Sequence, residues 1–185
     1  MTNIPFLGKG LRAKEVFELI HTDVCGLFAT QARGVFSYFI ILLMISLGLV
    51  FVYLMKHKSE TFEKFMEYKV EVEKQLDKSI KTLRSDCEVE YLSKEFFDYL
   101  KGQGIQSQWT PPGTPQLNEV FERRNRTLLD MVRSMMNSTS LPTSLWGYAL
   151  ETSIYVLNRV PSKLVQKTLY ELWCNKKSIL THIKE

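Results

Sequence analysis

The chain has 185 residues, 45% of them apolar and 24% charged, enough for one domain with its own core; this excludes a disordered or low-complexity protein. A net charge of +4 and a pI near 8.9 suit a polyanionic partner without requiring one. The three cysteines, Cys25, Cys87 and Cys174, are too few and too scattered for a disulfide scaffold or a zinc cluster, so a reducing intracellular compartment, nuclear or cytoplasmic, is expected.

Residues 1–15, with Pro5, Gly8 and Gly10, read as a lead-in or linker with neither the apolar stretch nor the cleavage site of a signal peptide. Val16 to Val24 is rich in strand formers, which puts Asp23 at a strand end, where an aspartate is usually a turn residue. Val35 to Met55 then runs 21 residues without a charge. That length can cross a bilayer as one helix, so a single-pass membrane protein is one reading. The other is a pair of buried strands, Tyr38 to Met44 and Leu49 to Leu54, turning at Ser46 and Gly48.

Ser59 is placed to cap an amphipathic helix whose apolar stripe is Phe62, Phe65, Met66, Val72 and Leu76. A short strand, Ser79 to Ser85, ends at a second aspartate, Asp86. Ser93 caps another helix, closed by Gly102 and Gly104, and a brief strand from Ile105 to Thr110 leads into a Pro- and Gly-rich turn. Beyond Gln116, apolar positions at Leu117, Val120, Phe121, Leu128, Met131, Val132 and Met135 predict a long helix carrying Glu119, Glu122, Arg123, Arg124, Arg126 and Arg133. Taken alone, acids at the start of such a helix are a solvated end favoured by the macrodipole. Leu141 and Pro142 begin a further helix with Trp146, Ala149, Leu150, Ser153, Val156 and Leu157 inward, ended by Asn158 to Ser162; Thr168 to Trp173 forms a last short one.

Acids thus stand at three element ends: Asp23, Asp86 and Glu122. The 35 residues between Asp86 and Glu122 leave room for a helix and a strand to bring the chain back to the same sheet edge. Three carboxylates gathered there would repel one another and call for divalent cations. Two Mg2+ or Mn2+ ions roughly 3.5–4 Å apart could activate a water or hydroxyl for in-line phosphoryl transfer.

This order resembles the catalytic core of copia-type LTR-retrotransposon integrases, of the retroviral-integrase and RNase H-like superfamily. Its carriers are ELIHTDVCG, YFI with VYLMKHKSETFEKF, IKTLRSD with EYLS, GIQSQWTPPGTPQ, ERRNRTLLDMVRSMM, LPTSLWGYALETSIYVLNRVPS and YELW. The resemblance implies an α/β RNase H-like fold, a mixed five-stranded sheet flanked by helices, with a hairpin at 35–55. It implies a core over 16–160 and a C-terminal extension over 161–185. It also implies DNA binding, DNA integration and assembly with further copies of the chain. Asp23, Asp86 and Glu122 match the catalytic, metal-binding triad. Asn118, Arg123, Arg124 and Arg126 become candidate phosphate contacts, against a solvated helix face as the plainer reading. His21, beside the first aspartate, reads as a core histidine rather than a ligand. Trp109 and Trp146 also read as core, and Cys87 as a chance replacement rather than a ligand.

The chain departs from that pattern at three places. The polar hairpin turn of related integrases is Met44 to Gly48, MISLG, here. The glycine-containing loop after the second aspartate is Cys87, Glu88 and Val89. Asn118 is followed by Glu119 instead of glycine, an acid one turn from Glu122. The zinc-binding module that precedes such cores is not among these residues, nor is a reverse transcriptase or RNase H region; the expectation is a truncated retrotransposon remnant. A metal-dependent polynucleotidyl transferase and a catalytically dead nucleic-acid-binding domain both remain open readings.

Overall fold

The uncharged run that could have been a membrane helix is a β-hairpin in the computed structural model, which describes residues 17–86, 88–110, 115–160 and 168–174, with the side chains of 115–120 and Cys174 outside that description. Strands β2 (Tyr38–Met44) and β3 (Leu49–Met55) pair antiparallel from Tyr38↔Met55 to Met44↔Leu49. Gly48, at φ +75°, closes the turn, its N–H donating to the Met44 carbonyl at 2.7 Å. A side chain would be strained in that backbone conformation.

The run is continuously apolar because layers cover both faces of the hairpin. Ile40, Leu42, Met44, Leu49 and Met55 face one core with Phe65, Tyr68, Phe96 and Trp173. Phe39, Ile41, Leu43, Val50 and Leu54 face a second core with Phe121, Leu128, Trp146 and Leu150. Burying each such side chain contributes about 1.5–3 kcal/mol. Among the described residues no helix is long and apolar enough to cross a membrane, so the single-pass reading of 35–55 is corrected.

The mixed sheet has the order β3-β2-β1-β4-β5. Central β1 (Ile20–Cys25) is antiparallel to β2 and parallel to β4 (Thr82–Ser85), which is parallel to β5 (Gln106–Trp109). Helices α1 (Thr61–Leu76) and α2 (Lys94–Gly102) cover one face; α3 (Pro115–Asn137) and α4 (Trp146–Arg159) cover the other. A short α5 (Leu169–Cys174) returns to the first core, where Trp173 packs edge-on to Phe17 and Phe51, both at 5.9 Å.

Several boundaries differ from expectation. Helix α1 is entered through a 3-10 turn, Lys58–Glu60, with the Glu60 carboxylate accepting the His57 N–H at 3.1 Å, so Ser59 is not its cap. Ser93 does cap α2, accepting the Phe96 N–H at 3.3 Å. Leu141 is exposed, and a 3-10 turn (Thr143–Leu145) precedes α4. Trp109 is 47% exposed, because it ends the edge strand β5. Trp146 is buried as expected, its Nε1 donating to the Thr30 carbonyl at 2.7 Å. Helix α4 ends at Arg159, within the expected 158–162 stretch, and the side-chain amide of Asn158 in its last turn bonds both backbone groups of Val50, at 3.0 and 2.7 Å.

Candidate functional site

Side chains alternate across a strand, so His21, Asp23 and Cys25 leave β1 on the side of α3. The ring of His21 stacks on Phe121 at 4.1 Å, and Cys25 Sγ lies 3.6 Å from Asn125 Nδ2. Asp23 stands between those two anchors. On the neighbouring parallel strand Ile20 pairs with Leu83 and His21 with Arg84. The same offset carried two residues on sets Asp23 level with Asp86, just past the end of β4. The two aspartates therefore come level although Asp23 is not at a strand end as expected: β1 continues to Cys25, and Asp23 lies beside the position just past the last residue of β4.

Their electrostatics reflect that placement. Burial pushes the Asp23 carboxyl up to about 6, with further upward pressure from Asp86 and Glu88; its bond from the Val24 N–H, 2.8 Å, and the Lys58 charge work the other way. Burial raises Asp86 too, against a bond from the Glu88 N–H at 3.2 Å and the Lys58 ammonium. Cys25 is pushed to about 12 by burial and then by Asp23, which leaves it a neutral thiol. His21 is lowered to about 3 by burial and Arg84. It is a buried, neutral histidine, as its sequence context suggested, with its ring stacked on Phe121.

Glu122 is exposed on α3, one residue past Phe121. Among the described residues no group of three or more His, Cys, Asp and Glu is arranged to hold a metal. Asp23 and Asp86 are the two acids that the strand register sets level, with Glu122 outside any such group. A second ion has no ligand cluster among the described residues. Arg123 and Arg126 are exposed on α3. Arg124 is half-buried and turned toward the hairpin: a Cβ built on Gly48 would lie 3.1 Å from its Nη2. The side chains of Asn118 and Glu119, and Cys87 entirely, lie outside the described residues.

Three residues escaped the sequence reading. Asn125, three positions beyond Glu122 and so on a neighbouring helix face, meets Cys25. Tyr91 shares a buried hydrogen bond with Thr22, 2.9 Å, which ties the loop after Asp86 to the strand that carries Asp23. Lys58 reaches Glu88 at 3.0 Å and Glu90 at 3.9 Å. The i, i+3 spacing could have flagged Asn125; the other two join distant segments and leave no local signal.

Strand order, the parallel pair at the centre and helices on both faces define the RNase H-like fold of integrase catalytic cores. No family model matches the sequence. Over 94% and 97% of their lengths, the BIV integrase core and the HTLV-2 integrase core solved with magnesium align to 85% of this chain, at TM-scores of 0.62 and 0.63 and 18% and 16% identity. The retrovirus-related Pol polyprotein of transposon TNT 1-94 from Nicotiana tabacum is 36% identical over 182 residues, which is 98% of this chain but 14% of that polyprotein. The homologues of this chain are Pol polyproteins of copia-type retrotransposons, and it is an integrase-core-like domain of that kind.

Proposed function

We propose that this chain binds DNA and carries the divalent-metal-dependent strand-transfer centre of a retrotransposon integrase, with Asp23 and Asp86 as its first cation ligands and Glu122 as the third acid. The observation that carries the reading is the register that sets two half-buried aspartates level on adjacent parallel strands, where burial and its neighbour push the Asp23 carboxyl up. A cation bound there would supply polarisation of a phosphate and a more acidic attacking water or hydroxyl. The chain's own part is to hold the two carboxylates level through β1 and β4, to fix α3 against β1 through His21, Phe121 and Asn125, and to present Arg123 and Arg126 to phosphates. A nuclear or cytoplasmic site and assembly with further copies belong to the same reading.

Incubating the protein with a labelled donor duplex and a target plasmid, with Mg2+ or Mn2+, tests it. Joined product is expected in the native chain and none in Asp23→Asn, Asp86→Asn or Glu122→Gln; product that survives all three substitutions would sink the assignment. A second reading, a nucleic-acid-binding domain without catalysis, is favoured by the exposed position of Glu122 outside any described acid cluster. It predicts salt-dependent DNA binding that Asp86→Asn leaves unchanged and no joined product under any condition.

A further inference from the structure

Helix α3 runs in the same direction as β1, since Phe121 stacks on His21 and Asn125 lies against Cys25. Further on, its second half, the start of α4 and the loop after β1 line a cavity of about 270 Å³. The floor is aromatic: Phe28 and Trp146 lie 4.6 Å apart, with Phe39 at 5.7 and 6.3 Å from them. Trp146 Nε1 already donates to the Thr30 carbonyl, so the floor offers an occupant ring surface and no free donor. The mouth is polar and exposed, formed by Thr30, Arg133, Asn137 and Thr143. Arg133 is the one charged residue lining the cavity among the described residues. It pairs with Asp130 at 3.0 Å, but the two side chains are 69% and 61% exposed, a surface pair that another anion displaces at little cost. Arg126, Leu129, Arg133 and Met136 follow one another at helical spacing, so the exposed Arg126 stands one turn before the cavity on the same row of α3.

We propose that this cavity seats one unpaired nucleobase of a DNA strand whose phosphates lie on Arg126 and Arg133. The inference rests on the DNA-binding reading above and adds the form of DNA, an end or bulge with a base free to leave the stack. The volume lies just below the range of about 300–1,000 Å³ that takes drug-sized molecules, so the occupant is about one ring system. Flat rings with polar edges suit both parts of the site: the aromatic floor stacks the face, and Asn137, Thr30 and Thr143 bond the edge. An acyl chain or an apolar side chain would leave the polar mouth without partners. Seven residues of helix set Arg126 and Arg133 about 10.5 Å apart along the axis. That is about the rise of three nucleotides at roughly 3.4 Å each, so one strand can touch both guanidiniums. A base already unpaired enters without the cost of breaking a pair, which is why an end or bulge is favoured over intact duplex.

Fluorescence anisotropy of the whole chain with three labelled duplexes tests this without turnover: one blunt, one with a two-nucleotide single-stranded overhang, and one with the same overhang made abasic. The native chain is expected to bind the overhang about tenfold more tightly than the other two, the effect of one stacked base. A 2-aminopurine in the overhang is expected to lose fluorescence on binding as it stacks. Ala29→Phe, which sets a ring across the mouth from an exposed loop position, is expected to remove the preference while blunt binding and the thermal melt stay native. Asn137→Ala is expected to reduce overhang binding about threefold. Arg133→Gln is expected to weaken all three duplexes alike and to lower the salt dependence. Equal native affinity for the three duplexes would overturn the base seat and leave DNA binding standing. A preference that survives Ala29→Phe, or displacement of the overhang by a free deoxynucleoside monophosphate at equal affinity, would also overturn it. Absence of binding to every duplex would overturn both readings.

Discussion

The two halves of the sheet are built to different ends. On one side of β1 lie two seven-residue strands, β2 and β3, buried on both faces; on the other lie two four-residue strands, β4 and β5, with Arg84, Gln106 and Gln108 along them and an exposed Trp109 at the edge. The long half pairs its two strands along their whole length and fills its faces with aliphatic and aromatic side chains. The short half leaves carboxylates close together at a sheet edge, a cost that nothing in the core repays. Stability is therefore concentrated in one half and unresolved charge in the other, the division expected where chemistry sits on a rigid support.

Substitutions should thus act with opposite sign in the apolar hairpin and at the Asp23 carboxyl. The largest effect is expected from Leu42→Ala in β2, whose side chain is fully buried. Leaving that volume empty should cost about 2–5 kcal/mol in chemical denaturation. A loss below 1 kcal/mol would show that the hairpin is not the stable half.

Next in size is Asp23→Asn, expected to stabilise the metal-free chain at pH 7 by up to about 3 kcal/mol, the equivalent of a two-unit displacement of a carboxyl. The folded chain keeps the Asp23 proton to about pH 6, whereas the unfolded chain releases it near 3.8. This group's stabilising contribution is thus complete below about pH 4 and lost as pH rises through 6. His21 works the other way: its ordinary value of 6.5 falls to about 3 on folding, so its contribution is present above 6.5 and lost on acidification toward 3. The native chain therefore has opposing slopes between about pH 4 and 6, and Asp23→Asn should lose stability on acidification more steeply across that window. Thermal melts in EDTA at pH 4 and pH 7 measure both effects; a lower melting temperature for the variant at pH 7 would remove the contrast between the halves.

The smallest effect is expected from Ser93→Ala, which removes the cap of α2 on the polar half. Its loss should be about 1 kcal/mol and leave Mn2+ binding unchanged. A loss as large as that of Leu42→Ala would mean that the loop after Asp86, anchored by Tyr91, shares the core's cooperativity.

Local signals carried much of this fold. The Ser93 cap, the amphipathic stripe of α1 and the Gly48 turn follow from residue chemistry within a few positions. The hairpin itself was ambiguous, because a strand covered on both faces loses the alternation that separates strand from span. Ile45 and Leu47, in place of a polar turn, lengthened the apolar run, and each packs at the margin of a different core. Tyr68, fully buried in α1, was not singled out because its hydroxyl reads as surface chemistry. Of the site, Asp86 stood out rightly as a strand end and Asp23 was read as one although β1 runs on to Cys25; that their strands are neighbours is a fact of sheet order. Lys58 is a plain basic flank in sequence and acquires meaning only from Glu88, thirty residues later.

The amide of Asn158 has a further consequence beyond its two bonds to Val50. Strand β3 is an outer strand of the sheet, and its free backbone groups would otherwise be a template on which the hairpin of another molecule could stack. Asn158 fills that template with a side chain that imitates a passing strand, so at Val50 growth from molecule to molecule is blocked by the same helix that covers the second core.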